Sequence, residues 1–309
     1  MIGAFLVTFA LLGSFGQVPD PCATLVFGGD VMLAANLPPF APYNPTPLPY
    51  GFLFERIAPF IREGDLAFCN LENPISGRGK RLNKQFAFNA PPNAGAALAD
   101  AGFDAVSLAN NHCLDFGEVA LSDTLEHLSL AHVQYSGIEP ETPVIIEAKG
   151  LRVALLSYLA PSVYPIPYKG LSLQPAKADK NHIIADVFNV REESDIVVVS
   201  LHWGCEFSPQ RDPAQVTLAH DLIDAGVHIV VGHHPHVQQE VEYYHNGIIF
   251  YSLGNLVFAK YSKPVSRKTR LYRVEVDKSG VVSAAYLPVQ IQEGGQPKPL
   301  AIDYVTLPR

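Results

Sequence analysis

The chain has 309 residues, of which 48% are hydrophobic and 17% charged, a composition that supports a sizeable globular core. A formal net charge of −8 argues against a general nucleic-acid binder, which needs basic surface to neutralise phosphates. Four cysteines with no Cys-x-x-Cys pair argue against a disulfide framework and against a thiolate zinc site.

Residues Ile2 to Leu12 are apolar apart from Thr8, and no charged side chain precedes Asp20. The run is too short to span a bilayer comfortably but suits the apolar core of a secretory signal. Ser14 and Gly16 supply small residues at the −3 and −1 positions of a cleavage after Gly16. The basic segment that usually precedes such a core is missing, so a buried N-terminal strand or helix is the alternative. Cys22 lies in Pro-Asp-Pro-Cys-Ala-Thr, which is not a lipid-attachment context. The expected organisation is a signal peptide over residues 1–16 and a single exported domain over 17–309.

From residue 23 to 258, short apolar runs alternate with helical patterns. Predicted strands are "ATLVFG", "DLAFCNL", "FDAVSLA", "RVALLSY", "DIVVVSL", "VHIVVG" and "GIIFYSL". Most are uniformly apolar, as strands covered on both faces are. Predicted helices cover Phe52–Arg62, Asn93–Ala101, Glu118–Ala131, His182–Arg191 and Pro213–Ala225, the last announced by Asp212 as N-cap and Pro213 at the first helical position. Six prolines over residues 36–51 predict an extended surface loop. From Leu271 onward the pattern alternates, and "DKSG" predicts a hairpin turn. No repeat or composition break marks a second domain, so one α/β domain with a β-rich C-terminal tail is the simplest architecture.

Polar residues gather where these strands end. The runs lead in turn to Asp30, to Asn70 and Glu72, to Asn110, Asn111, His112 and Asp115, to His202 and Glu206, to His233, His234 and His236, and to Asn255. The carboxyl edge of an open α/β sheet is where sites assemble. Carboxylate, amide oxygen and imidazole without thiolate suit one or two divalent ions such as Mn, Fe, Zn or Mg. Taken singly, Asp30 reads equally well as a turn residue, Glu72 as a loop cap and His202 as a structural histidine. The joint pattern favours a metal.

The blocks "GDVML", "NLENP", "SLANNHCLDFG", "LHWGCEF", "VVGHHPHVQQ" and "YSLGNLVF" resemble, in this order, those of the CapA-type capsule-synthesis proteins, a family associated with poly-γ-glutamate capsules within the calcineurin-like metallophosphoesterase superfamily. The resemblance covers about residues 23–260. It implies a four-layer αββα sandwich with a metal centre at one sheet edge. By motif, Asp30, Glu72, Asn111, His202, His234 and His236 would be metal ligands, His112 the general acid and Asp115 its orienting partner. His233 is an additional histidine without an assigned role. Two departures matter: Met32 stands where the superfamily places a histidine ligand, and Glu72 stands where it places an aspartate.

Such a centre implies metal-dependent hydrolysis, and the resemblance implies a phosphoester or an anionic polymer as substrate, with capsule-synthesis membrane proteins as further partners and no nucleic acid. A non-catalytic assembly subunit that binds polymer or partner proteins and a cytoplasmic metallophosphatase are the competing readings. Ten of the 22 Lys and Arg residues (Arg78, Lys80, Arg81, Lys84, Lys260, Lys263, Arg267, Lys268, Arg270 and Arg273) follow two site blocks directly. They would guide a polyanion if they faced the metal edge, or be solvated loop tips if they did not. Cys113 adjoins His112 and Cys205 lies three residues after His202, so a bridge between two site loops is one expectation; two buried fillers is the commoner arrangement.

Overall fold

The computed structural model describes residues 21–34, 50–140, 143–163, 170–258 and 263–309. The expected signal segment and most of the proline-rich loop, residues 36–49, lie outside the described residues. Tyr50 and Gly51, assigned to that loop from sequence, instead begin a short helix.

Two sheets stack face to face, and the apolar alternation of each strand decides what lies between them. In the first sheet, parallel strands Ala23–Met32, Leu66–Leu71, Ala105–Ser107 and Gln134–Ser136 lie side by side. In the second, Leu151–Leu159, Ile196–His202, Ile229–His233 and Gly247–Phe250 run parallel, with Val144–Ala148 and Val241–Tyr244 as antiparallel edges. Leu25, Phe27, Leu66 and Phe68 from the first sheet pack against Val153, Val198, Val231 and Phe250 from the second. Val26, Ala67, Cys69 and Val106 point the other way, onto the helices Ala94–Ala101 and Gly117–Leu130. Val197, Val199 and Val230 do the same for the second sheet, beneath Lys180–Val190 and Pro213–Asp224. The result is helix, sheet, sheet, helix. Burial on both faces explains why these strands read as continuous apolar runs.

The predicted helix over Phe52–Arg62 is two pieces, Tyr50–Phe54 and Ala58–Ile61. Pro59 lacks the N–H that a continuous helix would bond to Glu55, and its ring would crowd that carbonyl. Pro213–Asp224 begins as expected, and Asp212 and Gln215 form a reciprocal capping box. The C-terminal hairpin, Lys268–Asp277 with Gly280–Ile291, forms as predicted, and the Asp277 carboxylate accepts from the Ser279 backbone at its turn. It is not an appendage, however. Its first strand pairs antiparallel with Ala23–Phe27, so the tail is an integral part of the first sheet.

The strand Ala23–Met32 changes partners halfway. Up to Phe27 it pairs with the hairpin; from Asp30 it pairs in parallel with Asn255–Phe258. Gly28 and Gly29 sit at the exchange, where the Asp30 N–H donates to the Gly254 carbonyl at 2.9 Å. A Cβ on Gly29 would collide with that same carbonyl oxygen, a backbone atom that cannot turn aside. Gly29→Ala is therefore expected to destabilise the fold by about 3 kcal/mol or more, the upper range for overpacking. Urea unfolding measures this, and a loss below about 1 kcal/mol would mean the two backbones are not so closely apposed.

Candidate metal centre

The strand registers bring the polar ends together. Asp30 lies level with Asn255 on one side and Asn70 on the other, and Asn70 lies level with Ser107. In the second sheet His233 lies level with His202. The carboxyl edges of the two sheets meet there. His233 Nδ1 lies 3.1 Å from Asp30 Oδ1, and Asn70 Nδ2 lies 3.4 Å from His202 Nδ1.

Asp30 is fully buried and richly bonded. Asn70 Nδ2 donates to Oδ1 at 2.9 Å, His236 Nδ1 lies 3.2 Å from Oδ2, and the His234 backbone N–H donates to Oδ2 at 3.4 Å. Burial pushes its carboxyl up, but the hydrogen bonds and charge of His233 and His236 outweigh this and hold it well below the usual range. Glu72 is equally buried and the opposite case. Neither carboxylate oxygen has a hydrogen-bond partner, and its closest cation is His236 Nε2, 3.6 Å from Oε1. Burial, with the negative charge of Asp30 behind it, raises its carboxyl well above the ordinary value. The residue is nonetheless held firmly in place. The Glu72 N–H donates to the Val31 carbonyl, and the neighbouring Asn73 side chain accepts from the Leu33 N–H.

His236 stands between the two carboxylates. Burial lowers its pKa, but Glu72 and Asp30 prevail and lift it to about 10. His234 goes the other way, to about 3, through burial and then the positive charge of His236. His202 also falls well below its ordinary value, again through burial and then His234. His202 Nε2 meets Asn111 Oδ1 at 3.0 Å, and its ring centroid is 4.9 Å from that of His234.

The fit to a divalent ion can be judged from these donors. Ligand atoms of Asp30, Glu72 and His236 lie within 4.8 Å of one another, and so do those of Glu206, His234 and His236. Glu72 Oε1 and Oε2, His234 Nδ1 and His233 Nε2 are buried without hydrogen-bond partners. Unpaired buried polar atoms cost on the order of 1–3 kcal/mol each, more when charged, and a shared cation would satisfy them. The hard and borderline donors fit Mn, Fe, Zn or Mg alike.

All eight site residues read from the sequence reach this edge. His202 joins the others through Asn70, Asn111 and His234, and belongs to neither ligand triplet. His112 Nδ1 lies 2.7 Å from Asp115 Oδ2, the orienting contact expected of the pair. Burial pushes the His112 pKa down, and Asp115 resists that fall. Met32 packs in a small apolar cluster with Ala34, Phe88 and Phe258, so this position offers no ligand nitrogen.

Four further residues, none of them assigned as a ligand or catalytic group from sequence, join the site. Lys84 pairs with Asp115, donates to the Asn111 carbonyl at 2.8 Å and lies 3.4 Å from His112 Nδ1. Asn70 and Asn110 form a buried relay: Asn110 donates to Asn70 Oδ1 and accepts from the His112 N–H, and Asn70 donates to Asp30. Asn255 Oδ1 lies 2.9 Å from His236 Nδ1. The strand-end positions of the three asparagines were visible, but the contacts join segments far apart in sequence.

Two expectations need correction. Cys113 and Cys205 are free thiols: Cys113 is buried in the apolar layer over the first sheet, whereas Cys205 is exposed. The basic segments reach the metal edge only in part. Arg78 pairs with Asp123, Arg81 folds onto backbone carbonyls, Arg270 lies over Tyr286 and Arg273 pairs with Glu275. Lys84 and Lys263 do reach the site, Lys263 Nζ lying 3.7 Å above the Phe207 ring, which is 5.9 Å from His236. Lys260 lies outside the described residues.

Comparison with known proteins identifies the family. Residues 24–260 match the family described as bacterial capsule synthesis protein PGA_cap. The chain is 30% identical to capsule biosynthesis protein CapA of Bacillus anthracis, over 90% of this chain and 69% of that protein. It is likewise 30% identical to PGA biosynthesis protein CapA of Bacillus subtilis, over 81% and 68%. In fold it is similar to the NAD nucleotidase of Haemophilus influenzae, with a TM-score of 0.54 at 10% identity, covering 91% of this chain and 60% of the other. With its helix, sheet, sheet, helix sandwich and a family match across most of its length, the chain belongs to the bacterial capsule synthesis protein PGA_cap family.

Proposed function

We propose that this chain is an exported, metal-dependent hydrolase of capsule or poly-γ-glutamate biosynthesis, acting on a phosphoester or an anionic polymer. The observation that carries the reading is Glu72: a carboxylate buried with both oxygens unpaired, beside Asp30 and His236. Asp30, Glu72, Asn111, His202, His234 and His236 would hold the ion or ions. When bound, a divalent ion supplies charge stabilisation for a developing oxyanion and makes water a usable nucleophile near neutral pH.

The chain's own residues would manage the leaving group. Asp115 holds His112 by Nδ1, which leaves Nε2 to carry the proton delivered to the departing oxygen or nitrogen. Lys84 grips the other oxygen of Asp115, so the carboxylate is fixed from two sides. Phe88 donates its N–H to Asp115 at 2.6 Å and packs its ring 4.5 Å from that of His112, limiting both rotation and water access.

A second reading, a non-catalytic assembly subunit, is favoured by Met32 in place of a ligand. The paired His112 and Asp115 favour the hydrolase, because polymer binding alone needs no oriented acid. Export is supported by the apolar run Ile2–Leu12. Among the described residues no helix is long and apolar enough to cross a membrane.

Two experiments separate these readings. In the first, His112→Ala should keep its metal and lose about 10²–10⁴-fold in turnover of a phosphodiester or γ-glutamyl substrate. Glu72→Ala should lose the metal itself, read by elemental analysis. Lys84→Met should lower kcat on the order of tenfold with KM unchanged, since it positions the acid rather than the substrate. Equal metal loss in the His112 and Glu72 variants would overturn the assignment of roles, and a metal-loaded wild type inactive on every substrate would favour the assembly subunit. In the second, full-length protein expressed in a bacterium should yield an extracytoplasmic form whose N-terminus, by mass spectrometry, is Gln17. An intact Met1 on cytoplasmic protein would favour the cytoplasmic phosphatase.

A further inference from the structure

The triplet of Glu206, His234 and His236 is not accounted for by the six ligands above. Glu206 follows the strand that ends at His202, and ligand atoms of its carboxylate and of both imidazoles lie within 4.8 Å of one another. We propose that Glu206 is a ligand of the metal centre, and that it supplies from the second sheet the donor that Met32 withholds from the first. The proposal rests on the metal-dependent reading above.

Three observations support it. The first is an unpaired donor: His234 is 6% exposed, and its Nδ1 has no hydrogen-bond partner although it sits in this triplet. A buried imidazole nitrogen left unpaired beside a carboxylate and a second imidazole is the pattern expected of a ligand set.

The second is the way the backbone delivers Glu206. The Trp203 N–H donates to the His233 carbonyl, and the Phe207 N–H donates to the Pro235 carbonyl at 2.8 Å. The segment carrying Glu206 is thus fastened on both sides to the segment carrying His234 and His236. Gln239 clamps the next turn through the Ser208 and Gln210 carbonyls and is itself held by Gln215. Phe207, His234 and His236 have φ of 62°, 96° and 57°. Side chains other than glycine adopt this region at a cost of about 1–3 kcal/mol each, so the packing that enforces it fixes where these side chains point.

The third is the way the two sets join. His236 belongs both to the set with Asp30 and Glu72 and to the set with Glu206 and His234, so one imidazole lies between carboxylates that follow strands of both sheets. One or two divalent ions at that junction would be shared by oxygen and nitrogen donors from both sides.

The test is a titration of metal-free full-length protein with Mn²⁺, followed by electron paramagnetic resonance of the free ion. Wild type, Glu206→Gln and Glu72→Ala would be compared. Glu206 is exposed and its amide is isosteric, so the variant should fold; circular dichroism verifies this. Glu206→Gln is expected to weaken at least one Mn²⁺ site about tenfold or more, no less than the loss of an outer-shell partner. Mn²⁺ binding unchanged in Glu206→Gln but weakened in Glu72→Ala would overturn this proposal and leave the metal reading standing. Absence of Mn²⁺ binding by wild type would overturn both.

Discussion

Burying an ionised carboxylate is the constraint on which the site's architecture depends. Asp30 has no exposed surface, and an unpaired charge in that position would cost several kcal/mol. The fold meets the demand by bringing two sheets edge to edge. Asn70 donates from the same sheet, while His233, His236 and the His234 backbone approach from the other. Separating the sheets would strand the charge, so the stability of the sandwich and the assembly of the site are one event. The glycine pair before Asp30 follows from the same demand. The first strand must exchange its hairpin partner for the Asn255 strand, and only a chain without side chains passes that close to Gly254.

Much of the layered architecture was legible because it rests on local pattern. Strands covered on both faces must be apolar at nearly every position, and the seven predicted runs are all strands. The capped helix beginning at Pro213 was legible for a similarly local reason. The split at Pro59 was not, because the apolar spacing over Phe52–Arg62 continues across the break. The C-terminal hairpin was legible as a hairpin but not as a neighbour of the first strand, since nothing in alternation states which edge it will join. The short strands Gln134–Ser136 and Asn255–Phe258 were missed too: one is only three residues long, and the other directly follows a run read as the end of the preceding strand.

The candidate site divides along the same line. Residues at strand ends could be named, because a chain has little structural reason to place Glu72 or three histidines after buried strands. What each one touches could not. Lys84 looked like one cation of a basic loop, yet it is turned inward onto Asp115 and the Asn111 carbonyl. Its neighbours Arg78 and Arg81 are taken up by Asp123 and by backbone carbonyls. Charge along a sequence therefore said little about the field at the metal edge. The two cysteines make the same point in reverse. Adjacency to site histidines did not bring them together, because Cys113 turns into the apolar layer while His112 turns toward Asp115.

The two departures from the pattern that the sequence resemblance implied can be understood as one adjustment. With Met32 in the first block, the corner that would hold a histidine is filled by an apolar cluster including Phe88 and Phe258. Phe88 also bonds Asp115 and packs on His112, and Phe258 packs 5.0 Å from His236. Apolar surface thus replaces a ligand and at the same time braces the acid and one of the remaining histidines. Glu72, one methylene longer than aspartate, extends a carboxylate to within 3.6 Å of His236. The extra His233 bonds Asp30 and leaves its other nitrogen buried and unpaired. The second sheet thus brings His233 and His236 to Asp30 at the edge where the first sheet offers Met32. The strained backbone at Phe207, His234 and His236 lies among these donors, where rigid placement matters most.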